Sequence, residues 1–201
     1  EIVNRAAMTM PDGKPLVWAQ KLLGYKNASQ VRGSDLMLNV CKEAERRNTP
    51  IGLYGGSQKA LEGFKRFLES QYPYLSVVYT FSPPFRKLSK YEDDKVIKGI
   101  NASGAKILFV GLGCPKQEYW MAEHKGKVNC VMIGIGAAFD FFGGTKKQAP
   151  KIMQQTGTEW LFRFASEPRR LWKRYLKHNP RFVYYFLKQL ISKQTPKTIN
   201  P

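Results

Sequence analysis

Acidic side chains, histidine and cysteine are what this chain has least of. Its 201 residues hold 15 Asp and Glu against 33 Lys and Arg, a formal net charge of +18. Two histidines and three cysteines (Cys41, Cys114, Cys130) have neither metal-ligand spacing nor the pattern of a disulfide framework. Cys/His metal centres are thereby close to excluded, and the cysteine usage fits a reducing, cytoplasmic compartment. No apolar run approaches the ~18 residues of a membrane-spanning helix. There is no Ser-His-Asp arrangement, no P-loop lysine motif, no Gly-x-Gly-x-x-Gly fingerprint, and no Asp-x-Asp of the kind that holds a divalent ion.

What is present suffices for a folded domain. An apolar fraction of 43% supplies a core, and the length fits one domain or one domain with an appendage. The chain starts with Glu1 rather than Met, in what reads as the middle of an amphipathic segment, so further sequence is expected upstream. The basic surface implies a polyanionic partner: nucleic acid, anionic lipid or a phosphorylated substrate.

Hydrophobic patterning gives the architecture. Helix-like stretches over 16–23 and 36–47 precede an apolar strand, Pro50 to Gly55, and an amphipathic helix over 58–70. A strand over 76–80, a Pro-rich loop and a polar helix over 92–102 follow. Then come the strand Lys106–Val110, a helix over 117–125, and another buried strand over 129–134. Strands alternating with helices predict βαβ units and a parallel sheet covered on both faces. Glycine pairs end three of these strands: Gly55-Gly56, Gly111-x-Gly113 and Gly134-x-Gly136. One such pair is explained as a turn, but three along one rim suggest a crevice for a flat or phosphorylated ligand.

From Gly157 onward the pattern is helical only, over 159–166, 168–177 and 180–192, with Pro168 and Pro180 suited to first-turn positions. Residues 151–201 contain eleven Lys and Arg against two Glu, half the net charge of +18, interleaved with aromatics from Trp160 to Phe186. That combination reads as a membrane-surface element or as a solvated basic face over core aromatics. Arg163, Arg170 and Arg174 share one face if the helix bends only slightly at Pro168, which would suit a diphosphate.

Few acids stand in special contexts. Asp12, between Pro11 and Pro15 in a rigid turn, is a candidate general base. Asp35, Glu118, Asp140 and Glu159 also read as buried, and Ser34 or Asp35 as a helix cap. Asp93-Asp94 reads as a solvated helix surface.

Taken in order, Pro11-Asp-Gly-x-Pro15, Gly33-Ser-Asp35, Gly55-Gly56, Gly111-x-Gly-x-Pro-Lys-Gln-Glu118, Gly134-x-Gly-Ala-x-Phe-Asp140, Gly144 with Ala149-Pro150, and Glu159-Trp-x-x-Arg163 with Glu167-Pro-x-Arg170 resemble one family. It is the WecG/TagA/CpsF glycosyltransferases (glycosyltransferase family 26), and the resemblance covers nearly the whole chain. It implies a Rossmann-like, mostly parallel α/β catalytic domain over 1–156, a helical membrane-associating appendage over 157–195 and a tail over 196–201.

The resemblance further implies inverting, metal-independent transfer of an N-acetylmannosamine-type sugar from UDP to undecaprenyl-diphosphate-linked N-acetylglucosamine, in teichoic acid or exopolysaccharide synthesis. A uronic acid or glucose-type UDP-hexose is the alternative donor, and a nucleic-acid-binding α/β protein the distant alternative. No cofactor and no nucleic acid are implied. The implied partners are the UDP-sugar, the polyprenyl-diphosphate acceptor and the cytoplasmic membrane face, met through residues 158–193; a homo-oligomer is compatible with it.

By the same resemblance Asp12 is the base, and Arg163, Arg170 and, less directly, Arg174 offset the leaving diphosphate. Gly13, Gly33, Ser34, Asp35, Gly55, Gly56, Gly111, Gly113, Pro115, Lys116, Gln117, Glu118, Gly136, Phe139 and Asp140 line the substrate site. Two departures stand out. The family's opening strand-helix stretch, with its Thr/Asn loop, is missing, and Gln148 stands where many relatives are basic. A third reading makes residues 158–195 only an oligomer interface.

Overall fold

The computed structural model describes residues 2–192, with Arg170 described in its backbone alone. The chain divides into two compact units, Glu1–Thr9 with Arg32–Lys147 and Met10–Val31 with Gln148–Pro201. The segment from 157 expected to be an appendage falls wholly within the second unit, together with residues 10–31.

The described elements run α1 (Lys14–Leu22), α2 (Gly33–Arg46), β1 (Ile51–Gly55), α3 (Gln58–Gln71), β2 (Val77–Phe81), α4 (Lys90–Ala102) and β3 (Ile107–Gly111). They continue as α5 (Lys116–His124), β4 (Val131–Gly134), α6 (Ala138–Phe142), α7 (Lys151–Thr156), α8 (Glu159–Ser166) and α9 (Pro168–Ile191). In the first unit the sheet is parallel throughout, in the order β2-β1-β3-β4. The expected α/β class with a mostly parallel sheet is what forms.

Side chains alternate across the sheet, as a pleated strand requires. Ile51, Leu53 and Phe109 pack with Met37 and Cys41 of α2, Phe64 and Leu68 of α3, and Phe139 of α6. Tyr54, Leu108 and Val110 meet Val96 and Ile100 of α4 on the other face. Strands covered on both sides need apolar residues at every position, which is why β1 and β3 read as continuous hydrophobic runs. Burial pushes the Cys41 thiol up to about 12, so that sulfur is core rather than chemistry.

Three expectations are corrected here. Asp93 is not simply solvated: the Nε2 of buried His124 lies 3.1 Å from both its carboxylate oxygens, and His124 Nδ1 lies 2.6 Å from the Trp120 carbonyl. Carboxylate and carbonyl both only accept, so each ring nitrogen makes its bond only when it carries a proton. Helix spacing within α4 could not reveal a partner 31 residues away.

Pro180 does not open a new helix. It sits inside α9, which continues through it to Ile191. Proline removes one backbone donor and crowds the preceding turn, but the flanking residues stay helical.

Nor do Ser34 and Asp35 cap α2. The cap position is Arg32, whose side chain caps no backbone N–H of the helix; its Nε pairs instead with Asp35 at 3.0 Å. By contrast Ser89 and Glu92 form a full capping box that starts α4 two residues before the expected position.

Replacing Asp93 with Ala is expected to lower the unfolding free energy by about 2 kcal/mol, because it leaves a buried imidazole N–H unpaired. Asp93 is itself 29% exposed, which keeps the effect below that of a fully buried pair. Urea titration of the two proteins checks this, and equal midpoints would make the contact energetically idle.

Candidate active site

The strand order determines where a ligand fits. From β1 the chain passes outward to β2, then returns across β1 to β3 and continues to β4. Successive crossovers therefore leave the sheet on opposite faces between β1 and β3, α3 on one side and α4 and α5 on the other. That is the switch point of an open parallel sheet, where the loops beyond the strand ends diverge and leave a crevice.

Both loops at this point are glycine turns, and they touch. Gly55 faces Gly111 in register, and Gly56 N–H donates to the Gly111 carbonyl at 2.9 Å. Gly55 has φ +112°, and a Cβ there would lie 2.6 Å from the Gly111 carbonyl carbon. A Cβ on Gly111 would sit 2.6 Å from the Phe139 ring. Phe139 is 1% exposed, so it forms the floor under the turn rather than an open ligand contact.

Gly113, by contrast, has φ +76° with nothing near a would-be Cβ, which leaves its backbone accessible. Behind it Pro115 is the cap of α5, and exposed Lys116 begins that helix with a cation at the rim.

The third glycine turn joins through Gln117. Its side chain is 8% exposed; Oε1 accepts from Gly136 N–H at 3.0 Å, and Nε2 donates to Glu118 Oε1 at 2.9 Å. Gln117 thus ties the start of α5 to the loop after β4. Gly33 reaches the same loop: a Cβ on it would come within 3.2 Å of the Ile135 carbonyl oxygen. The start of α2, with Ser34 buried and Asp35 exposed, therefore adjoins the rim. Asp140 Oδ1 accepts from the Thr145 hydroxyl at 2.9 Å and so braces the Gly143-Gly144 turn.

Ser82, which was not anticipated, donates its hydroxyl to the Gly56 carbonyl at 2.7 Å and anchors the loop after β2 to the same rim. A serine following a strand and preceding two prolines is too common a turn pattern to have revealed it.

The second unit carries the remaining candidates. The turn around Asp12 is pinned on both flanks: Val31 N–H donates to the Pro11 carbonyl at 3.0 Å, and Gln30 Nε2 to the Asp12 carbonyl at 2.5 Å. Gly13 precedes α1 in extended conformation, and Pro15 occupies its first turn. Asp12 is exposed rather than buried, as is Asp35; Asp12 stands between Pro11 and Gly13, and Asp35 pairs with Arg32 at the surface of α2.

Arg163 lies on α8 and pairs with Glu159 at 2.5 Å. Arg174 lies on α9, and the helix is interrupted at Glu167, whose φ of −136° and ψ of 56° are not helical. The expected single face through 163, 170 and 174 therefore does not exist as one helix surface. The Arg170 side chain lies outside the described residues. What joins α8 to α9 is aromatic, since Tyr175 stacks on Phe164 and meets Trp160 edge-on. Among the described residues no group of three His, Cys, Asp or Glu side chains is placed to hold a metal ion.

A family model, the Glycosyl transferase WecG/TagA/CpsF family, matches residues 1–196. The chain belongs to this family. It is a glycosyltransferase of the hexosyltransferase kind. Two of its relatives, in Staphylococcus aureus strains MW2 and NCTC 8325, are named N-acetylglucosaminyldiphosphoundecaprenol N-acetyl-beta-D-mannosaminyltransferase. Each is 30% identical over 189 residues, which is 94% of this chain and 72% of the relative. In a glycosyltransferase of this family, a crevice of accessible glycine backbone at a switch point is suited to a sugar nucleotide, whose diphosphate needs N–H donors at close range.

Proposed function

We propose that this transferase moves an N-acetylmannosamine-type sugar from UDP to undecaprenyl-diphosphate-linked N-acetylglucosamine, with inversion and without a metal ion. The observation that carries the donor half is the contact of the Gly55-Gly56 and Gly111–Gly113 turns at the switch point. The acceptor and the sugar rest on the names of the relatives.

In this reading the acceptor hydroxyl oxygen attacks the anomeric carbon from the side opposite the leaving group. The carbon–oxygen bond to UDP breaks, UDP departs with the electron pair, and the acceptor proton passes to the Asp12 carboxylate. The charge gathering on the diphosphate needs a cation in place of a metal. Arg163, Arg170 and Arg174 are assigned to it, with Lys116 at the donor rim. Gln117, held by its two hydrogen bonds, fixes the loop around Gly136 while its second amide hydrogen serves the donor.

Incubating the purified protein with UDP-N-acetylmannosamine and a lipid-diphosphate N-acetylglucosamine acceptor is expected to release UDP at a rate unchanged by a chelator. A strict need for Mg²⁺ or Mn²⁺ would overturn the metal-free step. Turnover only with a uronic acid or glucose-type donor would replace the sugar.

Residues 158–193 form the proposed membrane-associating element, and the cytoplasmic face of the membrane is the proposed location; Lys193 lies outside the described residues. Taken at about 3.6 residues per turn, Arg169, Lys173, Arg174, Lys177, Arg181 and Lys188 fall within roughly 140° of the α9 circumference. Trp172, Leu176, Phe182, Val183 and Leu190 lie opposite, with Leu176 68% and Val183 50% exposed, while Leu171 on the same side is buried. An apolar stripe left open beneath a basic one is what an interfacial helix presents to anionic lipid. Among the described residues no helix is long and apolar enough to cross a membrane.

Co-sedimentation with anionic vesicles should be strong, should weaken with salt, and should fall at least about tenfold in a Leu176→Glu, Val183→Glu variant. Preference for oligonucleotides over vesicles at equal ionic strength would favour nucleic acid as the basic surface's partner.

A further inference from the structure

The first turn of α5 holds a carboxylate whose local partner has been removed. Glu118 is the third residue of this helix, the position from which a glutamate normally reaches back to the backbone N–H of the cap residue. Glu92 does so at the third position of α4, accepting from Ser89 N–H at 2.8 Å. The cap of α5 is Pro115, which has no N–H to offer. Glu118 Oε1 turns instead to the Gln117 amide, and Oε2 is buried with no hydrogen-bond partner among the described residues. An unpaired buried carboxylate oxygen is costly, and such atoms are met by a water, an ion or a ligand group.

Its position says which donor. Through Gln117, whose Oε1 holds Gly136 N–H, Glu118 belongs to the rim where the glycine turns meet. A carboxylate repels a diphosphate, so it faces a neutral part of whatever binds there.

We infer that Glu118 reads the neutral portion of the nucleotide sugar, with Oε2 accepting a hydrogen bond from one of its hydroxyl or amide N–H groups. This rests on the UDP-sugar reading above. The chemistry is shared by the nucleoside end (ribose hydroxyls, uracil N–H) and the hexose end (ring hydroxyls, acetamido N–H). In either case the interaction selects ligands that present a donor at that point and rejects those that present an acceptor.

Glu118→Gln is the discriminating substitution. Its amide oxygen still accepts from Gln117, while its NH₂ takes the place of Oε2, so an acceptor becomes a donor with little change of shape. Removing an unpaired buried carboxylate does not weaken the fold, so the melting temperature should hold or rise. Calorimetric titration with UDP and with UDP-N-acetylmannosamine gives the readout. A hydrogen bond to a charged group corresponds to roughly a 10- to 100-fold change in affinity.

Equal weakening for both ligands places the contact at the nucleoside, and weakening for the sugar nucleotide alone places it at the hexose; either supports the assignment. Unchanged affinity for both, with the wild type binding normally, overturns the role of Glu118 and leaves the donor reading intact. A wild-type protein that binds neither ligand overturns both.

Discussion

Asp12→Ala is expected to lower turnover about 10²- to 10⁴-fold, the range supplied by a positioned general base. The acceptor oxygen is a poor nucleophile until its proton has somewhere to go, and Asp12 is the acid the Pro-Asp-Gly turn presents at the surface of the second unit. The turn does not depend on the carboxylate for its backbone geometry, since Pro11 and Asp12 are held through their carbonyls by Val31 and Gln30. Loss of activity should therefore come without loss of fold, and UDP affinity should stay at the wild-type value. Asp12→Asn, which keeps the shape but not the basicity, should behave the same way. Near-full turnover in either variant, measured as UDP release at saturating acceptor, would remove Asp12 from the chemistry.

The largest expected effect on stability comes from a single methyl group. Gly55→Ala should lower the unfolding free energy by roughly 3 kcal/mol or more, summing a left-handed backbone with an overpacked contact. At φ +112° an L-residue is strained, and the added Cβ would press on Gly111 backbone at 2.6 and 2.7 Å. Neither neighbour is the free end of a side chain. Relief requires β1 and β3 to part, and these are the two central strands of the sheet. Donor affinity should fall with stability because the same contact forms the crevice.

Gly104→Ala is the control. Its φ is +77° but nothing lies near the new methyl, so only the backbone term applies, about 1 kcal/mol. Equal losses in the two variants, by urea titration, would mean that the close approach at Gly55 contributes nothing.

The comparison of these two glycines also shows how far the sequence could be read. Gly55 ends β1 in a glycine pair and Gly104 follows α4 alone, but neither setting tells what an added Cβ would meet. Gly55 is decisive because β3 is inserted beside β1 after the chain has already gone out to β2, a consequence of how helices pack on the sheet faces. The same holds for Asp93. Its surroundings in α4 are polar, and only the docking of α5 brings His124 within 3.1 Å. Glu118 differs again: the proline at the cap is visible in the sequence, but the burial of Oε2 appears only once α5 is packed at the rim.

Apolar strand runs and helical patterning, the glycine pairs and the ordered motifs were local properties, and from them the sequence by itself determined the α/β class, its parallel sheet and the family. Hydrophobic periodicity survives any rearrangement of elements, so it identifies strands and helices without saying which neighbours they take. Only the tertiary structure decided that two of the three glycine turns meet at the switch point and that the third is tied in through Gln117. It also decided that α9 runs through Pro180, and that the backbone at Glu167 leaves the helical region instead of bending slightly between Arg163 and Arg174. Those outcomes depend on pairings between residues far apart in the chain, whose energies come from packing and hydrogen bonds that no single segment contains.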